Sequence, residues 1–224
     1  MDRSFFSLFA NGYGAFGWVR KAMLAGMFAA GAANAETVTI AALGDSLVQG
    51  YGLPAEQGLV PQLQAWLDAQ GADVRVINAG VSGDTTAGGL SRVGWTLSDD
   101  VDAMIVALGG NDFLRGIPPE VSRANLDGIL KAAQDAGVDT MLVALEASSN
   151  YGPAFKEAFD GMYTDLADQY GAPLYAGFLN AVIESGVENP MTLMQSDGIH
   201  PNAQGVAVIV ESFGPFVLNW INDD

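Results

Sequence analysis

A chain of 224 residues, half of them apolar, is long enough to bury one full core, so a single folded domain is expected. It has no cysteine and one histidine, His200, which excludes disulfide scaffolds, thiolate metal centres and multi-histidine metal sites. Nine Lys and Arg against 26 Asp and Glu give a net charge of −17, a field that repels phosphate backbones and anionic lipid surfaces and argues against nucleic-acid partners.

Residues 1–35 read as a signal peptide cleaved after Ala35. Arg20-Lys21 precedes an apolar run from Ala22 to Ala33, which closes on the A-x-A pattern Ala33-Asn34-Ala35. The run falls short of the roughly 20 apolar residues a bilayer span needs, so no stable membrane insertion is expected. The reading is an exported protein, periplasmic or secreted. Losing three basic and one acidic residue with the leader takes the net charge from −17 to −19. The residues ahead of Arg20 exceed what a signal peptide needs, and initiation nearer Val19 would account for them. Gly12-Tyr13-Gly14-Ala15-Phe16-Gly17 matches the G-x-G-x-x-G dinucleotide pattern, but no strand precedes it and no βαβ unit surrounds it, so it is not read as nucleotide-binding.

Residues 36–224 alternate short apolar runs with helical periodicity. A strand at 37–43 runs into Gly44-Asp45-Ser46. A helix follows at about 58–69, with Leu59, Leu63, Trp66 and Leu67 on one face and Pro61 in its first turn. Residues 73–77 form a second strand, and the turn-forming stretch from Asn78 to Thr86 leads into a short helix. A third strand, 103–108, runs into Gly109-Gly110-Asn111-Asp112. Pro118-Pro119 opens a helix carrying Leu126, Ile129, Leu130 and Ala133 at i, i+3, i+4 and i+7, with Gly137 as its cap. A strand at 140–145, a helix at 153–170, a short strand at 173–175 and a less regular stretch lead to Asp197-Gly198-Ile199-His200-Pro201. A last helix reaches about Trp220. The alternation predicts an α/β fold: a single flavodoxin-like three-layer sandwich on a five-stranded parallel sheet of order 2-1-3-4-5.

In such a sheet the loops after the strands emerge on one edge, where ligands collect. Ser46 is a candidate nucleophile there, although Gly-Asp-Ser triplets also make ordinary turns. A serine hydroxyl needs a base, and Asp197 three residues before His200 can orient the imidazole for that task. Acyl transfer also needs donors for the oxyanion, and the amides of Ser46 and Gly80 with the side-chain NH2 of Asn111 are the available set. Asp45, Asp84 and Asp112 read as residues that satisfy loop amides or caps.

These blocks resemble the SGNH (GDSL-type) hydrolase family, mapped here to Ser46, Gly80, Asn111 and His200. More narrowly they are similar to its bacterial branch of acyl-CoA thioesterase I, lysophospholipase and arylesterase, through Val81-Ser82-Gly83-Asp84-Thr85, the block Gly109 to Gly116, and Asn150-Tyr151-Gly152. The resemblance implies a serine hydrolase acting on carboxylic esters and thioesters through an acyl-Ser46 intermediate. Its implied substrate is a small acyl ester or thioester, with no cofactor or metal and a monomeric state. A mobile loop around Phe113 to Pro118 is implied, with Phe113, Leu114, Arg115, Ile117 and Tyr151 lining the substrate site. Arg115 reads equally as a loop anchor. Where that branch carries an apolar pair before Asn150, this chain has Ala147-Ser148-Ser149, which points to short acyl or aryl esters. The competing readings are a carbohydrate O-acetylesterase and a non-catalytic acyl-ligand binder.

Overall fold

The computed structural model describes residues 37–223, and the leader expected at 1–35 lies outside them. Five parallel strands, β1 (Val38–Gly44), β2 (Val74–Gly80), β3 (Ala103–Ala107), β4 (Asp139–Val143) and β5 (Leu174–Tyr175), form one sheet of order β2-β1-β3-β4-β5. Strand type and order are as expected from the sequence. β1 and β3 are buried along nearly their whole length, as strands covered on both faces must be.

Among the described residues eight α-helices complete the three layers: α1 (Ser46–Gln49), α2 (Leu59–Ala69), α3 (Thr86–Thr96), α4 (Gly110–Leu114), α5 (Pro119–Ala136), α6 (Pro153–Tyr170), α7 (Phe178–Ile183) and α8 (Ala203–Asn222). Alternate residues of each strand divide the core in two. Ile40, Ile105 and Met141 join α2, α7 and α8 on one face; Leu43, Met104 and Leu142 join α3, α5 and α6 on the other. α8 is long and apolar enough by length and composition to cross a membrane, but Val206, Ile209, Val210, Phe213 and Val217 are buried in the first of these clusters.

The structure departs from the sequence reading in several places near the site, among them α1 at Ser46 itself. β2 continues through Asn78, Ala79 and Gly80, which were expected in a loop. Residues 110–114 form α4, where an irregular loop was expected. The stretch before Asp197 contains α7, too short for its periodicity to be recognised.

Register explains why the turns meet. Gly44 pairs with Gly80 of β2 and with Ala107 of β3, so three strand ends lie level and the segments after them stand side by side. The turn after β3 depends on Gly109, whose φ of +124° is foreign to side-chain-bearing residues and whose missing Cβ leaves room for Tyr163 Oη.

Candidate active site

Ser46 opens α1 directly beyond β1, with Asp45 as the cap whose carboxylate accepts the Leu47 N–H at 3.1 Å. His200 arrives from the other end of the chain. Its Nε2 lies 2.9 Å from Ser46 Oγ and its Nδ1 lies 2.7 Å from Asp197 Oδ2. The other carboxylate oxygen of Asp197 accepts the N–H groups of Ile199 and His200 at 2.9 and 3.0 Å. The hydrogen bonds from the His200 side chain, the His200 amide and the Ile199 amide pull the Asp197 carboxyl down to about 2, so it is ionised at neutral pH. An ionised Asp197 keeps the Nδ1 proton and leaves Nε2 to accept one from Ser46. The His200 segment is pinned by a Met194–Pro201 bridge and by Gln195, whose N–H donates to the His200 carbonyl at 2.7 Å. Tyr51 covers the imidazole, ring centroids 4.8 Å apart.

Asn111, on α4, directs Nδ2 toward Asp45 Oδ2 at 3.4 Å, which leaves its second amide hydrogen for a ligand. Asp45 is 5% exposed, and burial raises its carboxyl above the ordinary range, against the lowering effects of the Leu47 amide, His200 and Asn111. Asp112 faces away from the site. It is fully buried and accepts from the Thr86 amide, Thr86 Oγ1 and Ser122 Oγ, tying α3 and α5 together.

Gly80 does not take the place expected of it. Its N–H donates to Asn78 Oδ1 at 2.9 Å, its Cα is pressed against the Val48–Gln49 backbone, and it does not border the cleft. Gly83, three residues on in the turn after β2, does border the cleft with Ser46. It sits at φ +84°, and among the described residues nothing accepts its N–H. Of the two glycines, Gly83 is the one that borders the cleft and whose N–H has no acceptor among the described residues.

Arg92 of α3 holds these turns together. Its Nη1 donates to the Ala79 carbonyl at 2.7 Å, Nη2 to the Gly44 carbonyl at 2.9 Å, and Nε to Asp84 at 2.6 Å. One guanidinium thus joins the end of β1, the end of β2 and the residue after Gly83. Nothing in the spacing of the sequence singled it out.

A cleft of about 460 Å³ opens onto Ser46, Asn111 and His200. An adjoining, mainly apolar cavity of about 330 Å³ is walled by Ala107, Leu108, Val143, Phe178 and Ile183. The two share Asp45, Leu47, Gly110, Leu145, Glu146, Ser148 and Leu179. Of the residues expected to line the site, Phe113 and Leu114 border the cleft, while Arg115, Ile117 and Tyr151 do not. Arg115 donates through Nη2 to the Gly83 carbonyl at 2.9 Å and is a loop anchor. Tyr151 packs behind Phe113, centroids 5.7 Å apart and nearly perpendicular. Ile117 is half-buried beside α4, its N–H donating to the Asp112 carbonyl. Leu179 and Ile183 of α7 were missed, because α7 reaches the site only through the tertiary fold.

Residues 42–208 match the GDSL-like lipase/acylhydrolase family. The chain is 38% identical to Esterase TesA of Pseudomonas aeruginosa over 183 residues, which cover 81% of this chain and 89% of that protein. It is 34% identical to the Arylesterase of Vibrio mimicus over 86% of this chain and 94% of that protein. The solved structure of the psychrotrophic esterase EstA from Pseudoalteromonas sp. matches with a TM-score of 0.75 at 34% identity, over 82% of this chain and 98% of that one. The chain belongs to the GDSL-like lipase/acylhydrolase family and is a carboxylic ester hydrolase.

Proposed function

We propose that the protein hydrolyses short acyl and aryl esters, and the corresponding thioesters, through an acyl-Ser46 intermediate. The observation that carries this reading is the run of contacts from Asp197 through His200 to Ser46 Oγ, at 2.7 and 2.9 Å, on the wall of the cleft. His200 takes the hydroxyl proton as Ser46 attacks the carbonyl carbon, and returns it to the departing alcohol or thiol. The tetrahedral oxyanion is met by the amides of Ser46 and Gly83 and by Asn111 Nδ2, each such donor being worth roughly 3–4 kcal/mol in the transition state. Water, deprotonated by His200, then releases the acid. Phe113 and Leu114 border the cleft, and Ser148 and Glu146 bring polar groups to its lining, which favours short acyl groups.

Hydrolysis of a p-nitrophenyl ester series from acetate to palmitate, by the wild type and Ser46→Ala, tests this. Activity confined to the shorter esters and abolished by Ser46→Ala is expected. Absence of turnover on every ester would overturn the reading and direct attention to sugar acetates. We also propose export through residues 1–35. Sequencing the N-terminus of the protein recovered outside the cytoplasm should begin at Glu36.

A further inference from the structure

Beyond the bond it cleaves, the cleft carries information about what leaves. Among the described residues, those bordering the cleft and its adjoining cavity include the carboxyl groups of Asp45 and Glu146 and not one Lys or Arg. Of the three cations nearby, Arg92 and Lys156 are paired with carboxylates and Arg115 is held on a backbone carbonyl. Lys156 Nζ lies 2.8 Å from Glu146 Oε1, 2.7 Å from Asp160 Oδ2 and 2.7 Å from the Ala147 carbonyl, so one positive charge is set against two negative ones. Arg115 is turned onto the Gly83 carbonyl. Asp197 adds a further carboxylate behind His200. Around this mouth the whole chain carries a net charge of −17. Fields of one sign over a cleft change the local concentration of charged ligands and their encounter rates.

We propose that the site selects by the charge of the leaving group: it accepts acyl groups from neutral or cationic alcohols and thiols and discriminates against polyanionic carriers such as coenzyme A. The proposal rests on the Ser46 hydrolase reading and narrows it. The chemistry at the carbonyl is the same for every carrier. A phosphorylated carrier, however, must bring its charges to a rim with no free cation among its lining residues, whereas a quaternary ammonium finds Glu146 and the rings of Tyr51 and Phe113 at the same mouth.

The test holds the acyl group constant and varies the thiol. Butyryl thioesters of thiocholine, N-acetylcysteamine and coenzyme A are compared by thiol release, which a cysteine-free enzyme leaves without background. At low ionic strength kcat/KM is expected to fall in that order, coenzyme A lying roughly tenfold or more below N-acetylcysteamine. Salt near 0.5 M should close most of that gap, since the Debye length then drops to about 4 Å. Glu146→Gln should narrow the ratio of thiocholine to coenzyme A rates. Equal turnover of the coenzyme A and N-acetylcysteamine esters at low salt, or a ratio that salt does not move, would overturn the proposal. p-Nitrophenyl butyrate run alongside separates the two levels. If it too is untouched, the hydrolase reading itself fails and this proposal with it. If it is cleaved while no thioester is, the same comparison on phenyl butyrates bearing trimethylammonium, no substituent or sulfonate decides the matter.

Discussion

Asp45 stands one residue before the proposed nucleophile, buried and accepting from Leu47 and Asn111. Burial is the first cause of its raised pKa, so the folded protein holds this proton to higher pH than the unfolded chain, whose carboxyl titrates near 3.8. The folded state then binds more protons across that interval, and stability falls as pH rises through it. Asp197 has the opposite sign: with its carboxyl lowered to about 2, its contribution is present above 3.8 and is lost as pH falls toward 2. Asp45→Asn keeps the Leu47 acceptor but removes the ionisation, so its Tm relative to wild type should rise with pH above 3.8, over the range in which the folded protein gives up the Asp45 proton. The same change sets one NH2 against another at Asn111, so kcat is expected to fall while Tm rises. A Tm difference that does not vary with pH would show that Asp45 is not the titrating group. At this scale the sequence was most legible where chemistry restricts residue type. A lone histidine three positions from an aspartate, a strand-ending serine and an asparagine after two glycines could be placed in one site. Gly80 and Gly83 could not be told apart that way, because the sequence puts both in one turn-forming stretch, whereas Gly80 closes β2. What distinguishes them is tertiary: Asn78 accepts the Gly80 N–H, while Gly83 borders the cleft.

Elements carry the site through a few close approaches. Only Leu108 and Gly109 separate β3 from α4, a turn made possible because Gly109 adopts φ +124° and leaves room for Tyr163, whose Oη donates to the Leu108 carbonyl at 2.9 Å. Gly109→Ala would force both the backbone and a fully buried ring to move. A loss of roughly 1–3 kcal/mol from backbone strain alone is expected, with a larger total once Tyr163 is displaced. Because α4 carries Asn111, kcat should fall more than Tm alone would suggest; thermal unfolding and p-nitrophenyl butyrate kinetics on the same preparation check both. The long elements were legible in advance. α5 buries Leu126, Ile129, Leu130 and Ala133, the positions its spacing marks, and ends at Gly137. The short ones were not. α1, α4 and α7 have four, five and six residues, less than two turns, so no periodicity can develop in them. Their helicity comes from the strand ends and neighbours they pack on.

At the level of the whole molecule, sheet order followed from the alternation of strands and helices. The level ends of β1, β2 and β3 turned three separate sequence blocks into one site. What brought His200 to Ser46 across 154 residues was the last crossover of the chain and the packing of α8. That arrangement gives the protein a built-in spectroscopic probe. His200 is the chain's one imidazole, so a histidine-selective NMR spectrum contains one residue's signals and needs no assignment. Its two ring nitrogens face Asp197 and Ser46, and the Tyr51 ring lies over it. Acylation of the serine, entry of a ligand beneath the tyrosine and loss of the aspartate contact would each leave a different mark on that single set of resonances, so the state of the site can be followed in the unlabelled, unmutated enzyme.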